Sequence, residues 1–144
     1  TITGGMGGLG LKEAEMLIQR GVSTLLLPSR SGRVARQGQG LDSQLSTLIT
    51  SNPGAVKLMT SDVSSASEVR ILTQYDRGYP LSGYLHAASA FSGGLMTSPD
   101  FAQTLRMHLD GPKTRGGAHL RAATLNLGLQ VAMNYSSLAA LACA

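Results

Sequence analysis

Thr1-Ile2-Thr3-Gly4-Gly5-Met6-Gly7-Gly8-Leu9-Gly10 packs five glycines into the bridge between the tail of a strand and a helical pattern. A diphosphate can lie against backbone only where no Cβ stands in the way, and glycine also supplies the positive φ that such a turn needs. A helix starting just past the glycines aims unpaired N–H groups and the positive end of its dipole at the anion. Leu11, Ala14, Leu17 and Ile18 recur at helical spacing, with Lys12, Glu13, Gln19 and Arg20 between them and Gly21 placed to stop the helix. Strand, glycine turn and helix in that order are the context of a dinucleotide-binding fingerprint. They assign Thr3, Gly4, Gly5, Gly7, Gly8, Leu9 and Gly10 to a cofactor cradle.

The same alternation continues outward. Ser23–Pro28 reads as a short strand whose apolar run suits a parallel sheet covered on both faces. Ser29 to Gly40 is a loop of Gly, Ser, Arg and Gln. Leu41, Leu45, Leu48 and Ile49 form the next amphipathic helix, and Ala55–Thr60 the next strand. Ser65-Ala-Ser-Glu68 has capping-box form, with the hydroxyl on the N3 amide and the glutamate reaching back, and opens a helix through Val69, Leu72 and Tyr75. A strand follows Pro80 at Ser82–Ala87. Ser98-Pro99-Asp100 supplies a cap, an N1 proline and a first-turn acid for a further helix. Lys113–Thr124 is helical despite Gly116 and Gly117, and a last strand, Leu129–Tyr135, leads to Ser136 and Ser137. Strands alternating with helices argue a Rossmann-type, doubly wound parallel sheet in three α/β/α layers, one domain over residues 1–144.

Composition removes several function classes. The 144 residues are 42% hydrophobic, enough for a packed core, and contain no apolar run of membrane-spanning length and no signal-peptide pattern. An intracellular, cytoplasmic protein is the expectation. The lone Cys143 cannot form an internal disulfide and reads as an inert thiol in a small apolar run. His86, His108 and His119 are scattered, so no metal site is expected. The net charge is +4, with Arg30, Arg33 and Arg36 grouped before Asp42, yet six aromatics and no Trp leave little for stacking on bases. Nucleic acid is therefore not the expected partner. One nucleotide phosphate accounts for Arg30, and a solvated loop for Arg33 and Arg36.

Ligands of doubly wound sheets sit beyond the carboxyl ends of the strands, and three groups fall there. Ser29-Arg30 ends the second strand, where NAD-preferring folds carry an acid; an arginine there pairs with a 2′-phosphate and indicates NADPH. After the third strand comes Asp62-Val63, whose carboxylate can accept from an adenine amino group or shape a helix-preceding turn. Ala87, Ala88 and Ser89 follow His86 at the end of the fourth strand, small enough for backbone to approach a nicotinamide ribose.

The collinear series Thr3 to Gly10, Ser29-Arg30-Ser-Gly32, Asp62-Val63, Pro80-Leu-Ser-Gly-Tyr-Leu-His-Ala-Ala88, Gly94-Leu95, Pro112-Lys113 and Ser136-Ser137 resembles the ketoreductase domains of polyketide synthases and animal-type fatty acid synthases. Those domains belong to the short-chain dehydrogenase/reductase superfamily. The resemblance implies NADPH-dependent reduction of a β-ketoacyl thioester on an acyl carrier protein, beside other synthase domains of the same parent chain. It also implies that Lys113 lowers the pKa of a proton-donating tyrosine and that Ser137 hydrogen-bonds the carbonyl oxygen, the general-acid and electrostatic roles this chemistry requires.

That tyrosine would fall beyond Ala144, and Tyr135, which precedes the serine, is no substitute. The first strand is also clipped, so the expectation is a piece truncated at both ends and without turnover by itself. Where relatives of this type carry Leu-Asp-Asp, tryptophan or glycine signatures, this chain has Phe91-Ser-Gly93, Ala142 and Ser89. The alternatives are a degenerate or structural ketoreductase-like subdomain and a free-standing reductase of a small ketone.

Overall fold

In a computed structural model the described residues are 1–35, 38–75, 81–89, 106 and 110–136. Their elements are β1 (Ile2–Thr3), α1 (Gly8–Gln19), β2 (Leu25–Ser29), α2 (Leu41–Ser51), β3 (Val56–Thr60), α3 (Ala66–Thr73) and β4 (Gly83–His86). A π-helical turn (Pro112–Gly116) then runs into α4 (Gly117–Thr124), and β5 (Val131–Asn134) closes the series. The helix expected at Ser98-Pro99-Asp100 lies outside the described residues, as do Arg36, Gly94-Leu95, Ser137 and Cys143.

Every strand pairing is parallel: β2 with β3, β1 with β4, and β4 with β5. β1 lies beside β2, where the Thr1 hydroxyl donates to the Leu26 carbonyl at 3.0 Å. Ladder hydrogen bonds define two sheets, β2-β3 and β1-β4-β5, which lie side by side in the order β3-β2-β1-β4-β5, with direction of travel reversing between β1 and β4. Such a reversal opens a crevice at the carboxyl ends of the strands.

Side chains of a strand alternate between faces, and two cores result. Leu25 and Leu27 of β2, Val56 of β3 and Leu85 of β4 pack with Leu11 and Ala14 of α1 and Leu41, Leu45 and Leu48 of α2. Their neighbours Leu26, Met59 and Tyr84 face the other way, toward Val69 and Leu72 of α3 and Leu120 of α4. Two helices on each side of a parallel sheet make the three-layer arrangement expected from the sequence. Burying each large aliphatic side chain contributes about 1.5–3 kcal/mol, so the two clusters hold the layers together.

Local details depart from the sequence expectation for identifiable reasons. α1 starts at Gly8, inside the glycine run, because Gly10 packs so closely that a Cβ would stand 2.5 Å from the Gly4 oxygen and the Gly5 Cα. α3 ends at Thr73, leaving Tyr75 outside the helix and 48% exposed, with the Lys57 ammonium 6.0 Å from its ring centre. The capping box forms only in half. The Glu68 amide donates to Ser65 Oγ at 3.5 Å, but the Glu68 carboxylate reaches past the cap and accepts from the Asp62 amide at 2.7 Å. The Ser65 amide is already engaged by the Asp62 carbonyl at 2.9 Å, which frees the glutamate for that longer span.

Candidate active site

The carboxyl ends of β1, β2, β3 and β4 surround a cleft of about 670 Å³. Of the cradle residues, Gly4, Gly7 and Gly8 line it. Gly7 caps α1 without a side-chain hydrogen bond, and no acid stands in the first turn. The Gly7 amide is spent on the Gly4 carbonyl at 3.0 Å, and intrahelical bonding begins at Leu11, whose amide donates to Gly7 at 2.9 Å. The amides of Gly8, Leu9 and Gly10 are the ones a helix leaves without intrahelical partners, at the positive end of its dipole. Thr3, Gly5 and Gly10 stand behind the wall rather than on it. A Cβ on Gly5 would meet the Ile2 oxygen and Leu27 Cδ2, both at 2.7 Å.

Ser29 and Arg30 line the cleft at the end of β2, and Arg33 joins them there, although the sequence assigned it to a solvated loop. The turn folds back through an Arg33 amide that donates to Ser31 Oγ at 3.3 Å. Asp62 and Val63 line the β3 side. Asp62 Oδ1 accepts from the Ser64 amide at 2.9 Å, so this carboxylate shapes the turn before α3 while facing the cleft. Ala87, Ala88 and Ser89 close the β4 side. Sequence reasoning passed over Ser61, whose hydroxyl is buried at the cleft wall with no hydrogen-bond partner among the described residues.

Lys113 is half-buried in the π turn and does not line the cleft, whereas its neighbour Pro112 does. Its carbonyl accepts from His86 Nε2 at 3.1 Å, and His86 Nδ1 lies 2.6 Å from the Thr3 hydroxyl. Burial pushes the His86 pKa below 6.5, with the nearby Lys113 charge acting the same way and hydrogen bonds to the Lys113 and Pro112 carbonyls partly opposing. Ser137, the expected partner of Lys113, lies outside the described residues. Tyr135 packs against the α1 side of the sheet, where burial and then the Glu13 carboxylate raise its phenol pKa above 10. Among the described residues no group of three or more His, Cys, Asp or Glu could hold a metal ion, and no helix is long and apolar enough to cross a membrane.

Residues 1–144 match the family model of the KR domain. The chain belongs to the KR family, the ketoreductase domains of polyketide synthases. A phenolphthiocerol/phthiocerol polyketide synthase polypeptide of Mycobacterium tuberculosis is 31% identical over 142 residues, which span 97% of this KR chain and 7% of that protein. A solved ketoreductase domain from the bacillaene assembly line is 26% identical with a TM-score of 0.74, covering 97% of this chain and 33% of that one. ElxO, solved with NADP bound, shares the fold at 18% identity and a TM-score of 0.73, covering 97% of this chain and 55% of its own. The KR chain thus spans a small part of the synthase it resembles, and it carries the short-chain dehydrogenase/reductase fold.

The residues present fit a dinucleotide. At Gly4 a Cβ would stand 2.7 Å from the backbone of Ala87 and Ala88, closing the approach between β1 and β4. The orphaned Ser61 hydroxyl offers a buried polar atom on the same wall. Anion-seeking amides, arginines and this hydroxyl occupy one continuous space.

Proposed function

We propose that this KR domain binds NADPH and reduces the β-keto group of an acyl thioester carried on an acyl carrier protein. The reading rests on one observation: the uncapped N-terminus of α1 and Arg30 of the β2 end open onto the same cleft. The Gly8 amide, with the positive end of the α1 dipole behind it, would take the diphosphate, and the Arg30 guanidinium the 2′-phosphate, which its planar fork suits. Asp62 and Val63 would meet the adenine, and the small side chains of Ala87, Ala88 and Ser89 the nicotinamide ribose. Bound NADPH supplies a hydride to the carbonyl carbon. Lys113 would stabilise negative charge at the proton donor's oxygen, and Ser137 would hydrogen-bond the substrate carbonyl. The NADP held by ElxO, a neighbour by fold, agrees with this choice of cofactor. The polyketide synthase named among the relatives agrees with a thioester substrate and with partners in the same polypeptide.

The test is a titration of the chain with NADPH and with NADH. No Trp is present, so cofactor emission can be followed without tryptophan background. Wild type should prefer NADPH. A charge-assisted hydrogen bond contributes about 1.5–3 kcal/mol, so Arg30→Ala should lower NADPH affinity roughly ten- to a hundredfold and leave NADH affinity unchanged. Unchanged NADPH affinity in Arg30→Ala would overturn the 2′-phosphate assignment.

A further inference from the structure

Three elements meet on one imidazole. His86, the last residue of β4, is buried, with Thr3 of β1 on one ring nitrogen and the Lys113 carbonyl of the π turn on the other. A carbonyl oxygen can only accept, so Nε2 carries a proton. In the neutral ring Nδ1 is then a bare acceptor, and the Thr3 hydroxyl donates to it. Both hydrogen bonds therefore have a fixed direction: Thr3 to His86, and His86 to Lys113.

The helix is cut to receive this ring. A Cβ on Gly116 would stand 3.0 Å from His86 Cε1 and 2.8 Å from Val63 Cγ2, and one on Gly117 would stand 3.5 Å from His86 Cδ2. Two successive glycines let the turn settle against the imidazole edge. At the far end of the same relay, Thr3 immediately precedes Gly4, and its carbonyl accepts from the Ala87 amide at 2.9 Å.

We propose that His86 is a positioning residue that ties the backbone of Lys113 to the cofactor cradle, through a neutral Nε2–H tautomer bonded to Thr3 and to the lysine's own carbonyl. The proposal rests on the reductase reading for the importance of Lys113, but not for the clasp itself. The two ring contacts can be separated by substitution. A Gln amide nitrogen extends to about the place of Nε2 and can still donate to Lys113, whereas an Asn side chain reaches only to about the place of Nδ1 and keeps the Thr3 contact alone.

Histidine-selective ¹⁵N NMR of the chain should show His86 protonated at Nε2 and bare at Nδ1 near neutral pH; the opposite tautomer would overturn the proposal. In hydrogen exchange, losing this buried bond should speed the Lys113–Gly117 amides about tenfold in His86→Asn, with α1 amides unchanged, while His86→Gln stays near wild type. Equal exchange in both variants would also overturn it. Should His86→Asn fail to fold, the wild-type tautomer and His86→Gln still decide. In the holoenzyme, kcat for a ketone should fall in His86→Asn and recover in His86→Gln, with KM for NADPH constant in both and Lys113→Met setting the floor. Full turnover by Lys113→Met would instead remove the catalytic reading of the lysine and leave the clasp standing.

Discussion

Gly4 shows how much one missing carbon decides. Its φ of +73° is one that side chains resist, and a Cβ would press on Ala87 and Ala88 backbone that has no room to yield. Gly4→Ala should cost about 1–3 kcal/mol of backbone strain, read as a lower Tm, and should also abolish NADPH titration. A variant that binds NADPH as wild type does would mean that β1 and β4 part more easily than these distances imply. His86 gives the pH dependence. Unfolded, its ring takes up a proton near pH 6.5; folded, burial defers that to lower pH. In the interval between, the unfolded chain binds more protons than the native one, so stability rises with pH there. The His86 contribution is complete above the unfolded value and is lost as pH falls through the folded one. Thermal unfolding should accordingly show Tm falling as pH drops below the ordinary histidine value of about 6.5, with a shallower fall in His86→Gln. Parallel falls in both proteins would locate the acid sensitivity elsewhere.

Among the elements, α1 has the clearest punctuation. Gly21 has a φ of +91°, its amide donates to Ile18 at 2.9 Å and the Val22 amide to Leu17 at 3.0 Å, the paired bonds of a Schellman stop. Nothing crowds the Gly21 Cβ position, so Gly21→Ala should lower stability by only about 1 kcal/mol, the conformational cost alone, in a denaturant titration. This stop was legible in sequence because it is local. So were the helical stripe of Leu41, Leu45 and Leu48 and the Ser65 cap. The π turn was not, because its geometry answers to an imidazole that arrives from a strand 27 positions earlier. The diverted Glu68 carboxylate was hidden for a related reason: its choice between two amides depends on which one the turn has already used.

At the scale of the molecule, the alternation of strands and helices in three layers could be read from the residues in order, whereas the strand order and the division into two cores come from pairings between distant segments. The cleft could be placed by the rule that ligands gather at strand ends, but its membership could not. Arg33 and Ser61 come to it through the path of a loop and the position just past the end of β3, neither of which leaves a composition signal. Leu120, fully buried between α3 and the sheet, tests whether the second core supports the whole. Leu120→Ala should destabilise by about 2–5 kcal/mol in urea unfolding, with both faces of the sheet melting in one transition. Two separated transitions would mean that the layers fold independently. The contact of Gly10 on the backbone of Gly4 and Gly5 carries a last consequence for binding. Helix and strand touch there with no side chain between them to flex, so the anion-facing amides are aligned before anything arrives. Little ordering of this backbone is left for the encounter, and a cradle already set spares the complex that part of the entropy cost of binding.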